Sequence, residues 1–198
     1  GTRRSYSIAS VPDNEGVRQV ELHMRHLPGG RFTDHVFGAM KLREIHKLEI
    51  PLGSFFLREH SDKPMIMLAS GTGFAPIKSL IEHALARGVR RPITLYWGGR
   101  RRGDLYLHDL AQSWADRHEH VRFVPVLSEP TPDCAWTGRT GFVHLAAMED
   151  FPDMSGHQVY ACGAPVVVDA ARRDYVARCG LPEDEFFADA FLTAADKR

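Results

Sequence analysis

From Pro64 onward the chain keeps a rhythm that few folds can accommodate. Short apolar runs at Met65 to Ala69, Ile93 to Trp97, Val121 to Leu127 and Gln158 to Cys162 alternate with helical periods over Ala75 to Arg87, Leu105 to His118, Phe142 to Met148 and Pro165 to Arg178. The series closes on Phe186 to Phe191. Runs of this length, bounded by turns and apolar on both faces, are what parallel strands covered by helices require. Parallel neighbours need crossovers, and those crossovers keep one hand. The expectation for residues 64–198 is a doubly wound parallel sheet with helices on both faces.

The stretch before Pro64 reads differently. Strand formers cluster at Arg4 to Ser10 and Gln19 to Arg25, and the turn-prone Pro12-Asp13-Asn14-Glu15-Gly16 between them predicts a hairpin. Pro28-Gly29-Gly30 precedes a short helical pattern at Phe32, Val36, Phe37 and Met40, and a third extended stretch follows around Leu48 to Leu52. A β-rich unit over residues 1–63 and an α/β unit over residues 64–198 therefore meet near Ser61-Asp62-Lys63-Pro64. Charge excludes some partners. The 25 basic side chains balance the 25 acidic ones, so no global field draws in nucleic acid or an anionic membrane. No apolar run approaches the ~20 residues of a membrane span, and the start GTRRSYS carries no apolar signal region. Cys134, Cys162 and Cys179 are an odd set without paired spacing, which suits a reducing compartment, the cytoplasm by default.

Three turns are placed to carry chemistry. Leu68-Ala69-Ser70-Gly71-Thr72-Gly73-Phe74-Ala75-Pro76 sits between an apolar run and an amphipathic period. Glycines there let backbone pass close to a neighbour, and the following helix start favours a phosphate; a bare tight turn is the alternative, since neither GxGxxG nor a Walker loop is complete. Cys162-Gly163-Ala164-Pro165 repeats the strand-to-helix position. Its cysteine is open to three readings: nucleophile, packing residue or polarizable neighbour of a planar ring. Arg4-Ser5-Tyr6-Ser7 puts a guanidinium and an aromatic ring on one strand face, and Gly29-Gly30-Arg31-Phe32-Thr33 offers paired glycines at a helix start. Ordinary strand surface is the bland reading of the former. His118-Glu119-His120 reads as solvated surface rather than a metal site, and Arg100 to Arg102 either meet phosphates or decorate a loop.

In order and spacing, Arg4-x-Tyr6-Ser7, Gly29-Gly30-x-x-Thr33, Gly71 to Pro76, Tyr96-Trp97-Gly98-Gly99-Arg100 and Cys162-Gly163-x-Pro165 resemble the ferredoxin-NADP reductase superfamily. Trp136-Thr137-Gly138-Arg139-Thr140-Gly141 and Phe187-Ala188-Asp189-Ala190-Phe191 are similar to its bacterial branch of flavin reductases, phenol hydroxylase reductases and CDP-6-deoxy-glucoseen reductases. The resemblance implies a flavin-binding antiparallel barrel, here partial, followed by a nucleotide-binding domain. It implies that Arg4 binds the FAD pyrophosphate, Tyr6 lies against the isoalloxazine and Ser7 bonds near flavin N5. Leu22, His23 and Met24 would run beside the flavin through their backbone, with Gly29, Gly30, Phe32 and Thr33 closing its phosphate end. Gly71, Thr72, Gly73 and Pro76 would shape the nicotinamide nucleotide site, together with Gly99, Arg100, Ser128 and Glu129 at its far end. Cys162, Gly163 and Pro165 would pack near the nicotinamide, and Asp189 and Phe191 near the ring edge. Ser7, Thr72 and Cys162 are the residues placed closest to the reacting atoms.

The implied activity is hydride transfer from NADH or NADPH to FAD, with electrons passed to an acceptor protein or ferredoxin-like module outside this chain. Glu129 tilts the expectation to NADH, because it would repel an extra ribose phosphate. Two rivals remain: a reductase that releases reduced free flavin, and a non-catalytic module that senses the nucleotide. Three departures matter: Ala164 stands where the family often has proline, the chain runs past Phe191, and no Cys-x4-Cys-x2-Cys cluster is present. A closed flavin barrel takes about six strands, so three candidates before Pro64 imply completion by residues upstream of Gly1 or by a partner. Weak flavin retention would follow.

Overall fold

The computed structural model describes residues 3–11 and 19–191. The turn at Pro12 to Gly16 and the run past Phe191 lie outside the described residues. A short helix α1 (Arg31–Asp34) continues into a π-helical turn, His35–Ala39. The α/β part then runs β1 (Met65–Ser70), α2 (Phe74–Ala86), β2 (Ile93–Gly99), α3 (His108–Arg117), β3 (Val121–Leu127) and β4 (Arg139–Thr140). It continues with α4 (Val143–Asp150), β5 (Gln158–Gly163), α5 (Pro165–Cys179) and β6 (Phe186–Ala190). The six strands form one parallel sheet in the order β4-β3-β2-β1-β5-β6. The doubly wound sheet expected from the apolar rhythm is present.

Its helices divide between the faces because strand side chains alternate. Met65, Met67, Ala69, Leu95 and Trp97 pack with Phe74, Ile77, Ile81 and Trp114, so α2 and α3 cover one face. Ile66, Leu68, Tyr96, Val126 and Ala161 pack with Val143, Ala147, Val168 and Tyr175, so α4 and α5 cover the other. Residues 65–69 of β1 are buried on both sides, which explains a run with no polar interruption. Each fully buried Met, Ile or Leu there contributes about 1.5–3 kcal/mol. Helix α5 starts at Pro165, whose missing N–H is harmless in a first turn, and stops at Gly180 in a left-handed conformation (φ 68°). Strand β4 went unread in the sequence: two residues are too few to show a period, and register with Val126 and Leu127 alone defines it.

The β-rich expectation for the first part needs correction. Arg4 to Ser10 and Gln19 to Arg25 do run antiparallel, but among the described residues they meet at a single bridge, Ile8 with Leu22, beside a bond from Ala9 N–H to the Glu21 carbonyl (2.8 Å) and one from Glu21 N–H to Ser10 Oγ (3.2 Å). Leu48 to Leu52 forms no strand, and among the described residues the expected partial barrel has no ladder. A strand persists where a neighbour takes its backbone donors and acceptors. These segments instead lean on the sheet domain. Ser79 donates to the Ser10 carbonyl (2.9 Å), the Tyr160 hydroxyl accepts from Arg58 N–H (3.0 Å), and Leu57 is buried in the core beside α2.

Candidate active site

The strand order places β1 and β5 side by side at the centre, where connections leave in opposite directions, and the crevice beyond such a switch point is where open α/β sheets bind ligands. Ala69 pairs with Cys162, so the turns after the two strands are neighbours. They interlock through missing side chains. A Cβ on Gly73 would lie 2.2 Å from the Cys162 carbonyl oxygen, and one on Gly163 (φ 132°) would lie 2.5 Å from that of Ser70. Gly71 (φ 54°) faces open space, so its glycine serves conformation rather than packing. The turn is pinned from beneath: Trp97 Nε1–H donates to the Gly71 carbonyl (3.0 Å), and its indole stacks on Phe74 at 3.7 Å. Half-buried Thr72 sits at the middle of this turn.

Neither α2 nor α5 has a side-chain cap at its N-terminus, and each helix starts directly after one of the two adjacent turns, which brings its positive dipole end to the carboxyl ends of β1 and β5. Pro76, buried in the first turn of α2, removes a donor that would have no intrahelical partner anyway. The resulting cradle fits a phosphate-bearing nucleotide.

The segment before Pro64 reaches this crevice from the other side. Ser7 Oγ donates to Asp189 Oδ2 at 2.8 Å, and Asp189 on β6 pairs with Cys162 on β5. The structure thus gathers Ser7, Cys162, Gly163, Asp189 and the Gly71–Gly73 turn. Phe191 joins them, its N–H donating to the Gly163 carbonyl (2.9 Å). Cys162 is 1% exposed; burial, with the nearby Asp189 carboxylate, pushes its thiol far above the usual range. Of the three readings open for that cysteine, these surroundings favour packing or contact with a planar ring.

The Gly29–Thr33 turn is built from within. Gly29 has φ 80°, and a Cβ on Gly30 would lie 2.6 Å from Thr33 Oγ1 and 2.8 Å from the Leu27 carbonyl oxygen. The Thr33 hydroxyl lies 2.9 Å from that carbonyl and accepts from Leu27 N–H (3.3 Å). Its hydroxyl is therefore engaged in closing the loop. Tyr6 packs against Phe32 with ring centroids 5.6 Å apart, and burial raises its phenol above the usual range. Arg4 is exposed and donates only to the adjacent Arg3 carbonyl among the contacts described (2.8 Å), apart from the gathered residues. Leu22 and Met24 are half-buried beside the bridge.

At the far end of the crevice, Ser128 N–H donates to the Gly99 carbonyl (3.0 Å) and Glu129 N–H to that of Arg100 (2.9 Å). Asp104 Oδ2 accepts from the Arg100 and Arg101 N–H groups at 2.8 and 3.0 Å, which shapes the arginine loop. Arg100 and Glu129 are both exposed at the ends of β2 and β3.

Two side chains that position the site were missed. Lys78 is buried on α2 and donates to the Ala9 carbonyl (3.1 Å), Glu21 (3.1 Å) and Glu82 (2.8 Å). Burial lowers its pKa, but the bonds and charges of Glu82 and Glu21 more than offset this and leave it raised. His23, expected to act through its backbone, uses its ring: Nδ1 lies 2.7 Å from the Tyr106 hydroxyl and Nε2 2.7 Å from Glu21. One sign was available for the lysine. Phe74, Ile77 and Ile81 define the apolar stripe of α2, and Lys78 occupies the remaining position of that i, i+3, i+4, i+7 set.

Comparison with known proteins agrees with this geometry. Residues 67–173 match the oxidoreductase NAD-binding domain family, and residues 1–57 match the oxidoreductase FAD-binding domain family. The chain is 44% identical over 192 residues to CDP-6-deoxy-L-threo-D-glycero-4-hexulose-3-dehydrase reductase of Yersinia pestis, spanning 97% of this chain and 56% of that protein. It is 32% identical to the NAD(P)H-flavin reductase of Aliivibrio fischeri, over 96% of this chain and 80% of that one. Among solved structures, the Amycolatopsis cytochrome P450 reductase GcoB superposes with a TM-score of 0.88 at 34% identity, over 98% of this chain and 58% of that one. The chain thus spans little more than half the length of several relatives. An FAD-binding part followed by an NAD-binding domain, in this order and with these turns, makes the chain a member of the ferredoxin-NADP reductase superfamily.

Proposed function

We propose that this chain is the FAD- and NAD-binding portion of a reductase that takes hydride from NADH and sends electrons to a separate protein acceptor, such as an iron-sulfur, oxygenase or dehydrase component. The observation that carries the reading is the meeting of two regions at one crevice: interlocked glycine turns from β1 and β5 on one side, and Ser7 bonded to Asp189 on the other. A flavin and a nicotinamide bound there supply the redox chemistry, so the chain provides position rather than acid or base.

Each residue then has a task. Gly71, Gly73 and Gly163 keep the crevice floor clear, while the N-terminal turns of α2 and α5 hold phosphate by N–H donors and dipole. Thr72 orients the ring edge from mid-turn. Asp189 fixes the direction of the Ser7 hydroxyl, which is assigned to the flavin N5 side, and Cys162 lends a neutral polarizable surface. On the flavin side, Arg4 takes phosphate, Tyr6 and Phe32 form an aromatic wall, Gly29 and Gly30 make the tight turn, and Thr33 locks it. The units divide near Pro64, as 1–63 and 64–198. The cytoplasm is the proposed location, supported by three free thiols.

The test is anaerobic. NADH added to FAD-loaded protein should bleach the flavin, and an unbleached spectrum would leave only the nucleotide-sensing alternative. A second reading, release of reduced flavin as a product, draws support from exposed Arg4 and from the likeness to the Aliivibrio fischeri NAD(P)H-flavin reductase. Ultrafiltration separates the two: flavin retained with the protein through reduction favours the electron-transfer component, and flavin in the filtrate favours the release reading.

A further inference from the structure

Among the described residues, one group of imidazole and carboxylate donors lies outside the crevice and has no part in the proposed reaction. His35, on the π-helical turn after α1, places Nε2 2.6 Å from Glu44 Oε1; His46 Nε2 lies 3.5 Å from the same oxygen. The three donor atoms all fall within 4.8 Å of one another. We propose that His35, Glu44 and His46 form a binding site for a divalent transition ion, with zinc the best chemical match.

The geometry is close to what such an ion needs. With metal–ligand bonds of about 2.0–2.1 Å, the edges of a tetrahedron are roughly 3.4 Å long. The His46–Glu44 edge already has that length, and the His35–Glu44 edge has to open by less than ~1 Å. Two imidazoles and one carboxylate form the set zinc takes when a fourth position stays open to water. Magnesium and calcium prefer oxygen ligands and are disfavoured by a site two-thirds nitrogen.

The carboxylate has outer support as well. Glu44 Oε2 accepts from Lys41 N–H at 3.2 Å, which occupies one oxygen and leaves Oε1 to face both histidines. A ligand oriented through its second oxygen is the usual arrangement around bound metal. The His46 ring is steadied edge-on by Phe32, with centroids 6.1 Å apart. Side chains 36%, 30% and 30% exposed leave a route for an ion and its water.

Tag-free protein is titrated with Co2+, followed by its visible d–d absorption, and with Zn2+ by calorimetry. One equivalent should bind, with tetrahedral-type cobalt absorption, and a tenfold excess of Mg2+ should not displace it. His35→Ala, His46→Ala and Glu44→Gln should each weaken binding at least tenfold, while His118→Ala leaves it unchanged. Zn2+ should raise the melting temperature of the parent chain but not of His46→Ala, which separates loss of the site from loss of the fold. Stoichiometry well below one, or affinity indifferent to all three substitutions, would overturn the site.

Discussion

In the parallel sheet every strand is paired and the central ones are covered on both faces, whereas the described residues before Pro64 have one bridge, Ile8 with Leu22, and turn large apolar side chains outward. Leu42 and Ile45 are 94% and 95% exposed. The sheet carries its own stability in two buried layers. The earlier segment is held by borrowed contacts: Lys78 and Ser79 on α2, Asp189 on β6, and Tyr106 before α3. The proposed site needs both, since the glycine turns come from one region and Ser7 and Tyr6 from the other. Rigidity on one side and attachment on the other is the contrast to test.

The largest effect is expected inside the rigid half. Gly73→Ala puts a methyl 2.2 Å from a backbone oxygen, which cannot rotate away as a side chain would. Overpacking of this kind costs about 1–3 kcal/mol or more, and here it also spreads the two turns that bind the nucleotide. NADH-dependent flavin reduction should fall by two orders of magnitude or more. Gly71→Ala meets no neighbour and strains only a positive φ, at about 1 kcal/mol. Comparable rates for both variants and the parent would show that the interlock does not govern the site.

Next comes the attachment. Lys78→Met removes the cation from Glu21 and Glu82, whose carboxylates are part-exposed, so the loss is about 1 kcal/mol. The loss should appear as faster hydrogen exchange in residues 3–11 and 19–26 with the sheet amides unchanged; equal acceleration in both would mean that the regions are not separable. Acid should act in the same direction. The hydrogen bond from His23, assisted by Lys78, lowers the Glu21 pKa, so its contribution is full above the ordinary carboxylate value and is lost as pH falls through the lowered one. Lys78 has a raised pKa, so its contribution is full below the ordinary lysine value and lost only as pH rises through the raised one. Protection of the attached segment, relative to intrinsic exchange at the same pH, should therefore fall at acid pH before the sheet melts.

A narrower effect separates position from binding. Ser7→Ala deletes the bond to Asp189 and Thr72→Val the mid-turn hydroxyl, and both should slow flavin reduction by about tenfold, roughly 1.4 kcal/mol, with the nucleotide Kd nearly unchanged. Stopped-flow traces with parental reduction rates would remove these roles.

The same contrast decided what could be read in advance. Residues 65–69 of β1 form an unbroken apolar run because two helical layers cover them, and burial on two sides leaves a mark in any sequence. The glycine turn at Gly71 to Gly73 was legible as a close approach, although not that Gly73 makes room for the Cys162 carbonyl and Gly163 for that of Ser70. The segment before Pro64 left weaker marks. Alternation at Arg4 to Ser10 announces a strand but not whether a neighbour takes its hydrogen bonds, and Leu48 to Leu52 has the composition of a strand without a ladder. Lys78 and His23 were hidden for another reason. The stripe position of Lys78 was visible, but its pairing with Glu21 and that of His23 with Tyr106 join residues 57 and 83 apart, which no local pattern reports.

The smallest effect concerns the exposed far end of the crevice, where Glu129 and Arg100 offer opposite charges from neighbouring strand ends. Glu129 N–H is tied to the Arg100 carbonyl, which holds the two residues side by side; on the proposed function both lie toward the nucleotide ribose. A carboxylate there accepts from a ribose hydroxyl and repels a phosphate, while a nearby guanidinium does the reverse. Both groups are exposed, so the interaction of either with a phosphate is about 1 kcal/mol. Position decides between such small terms. The Arg100 N–H is held by Asp104 in the loop after β2, whereas Glu129 stands two residues past the end of β3, outside that loop. The parent should therefore favour NADH in kcat/KM, and Glu129→Arg should move the ratio toward NADPH by about tenfold, the ~1.4 kcal/mol expected for reversing one exposed charge. A parent that prefers NADPH tenfold or more would instead assign the phosphate to Arg100.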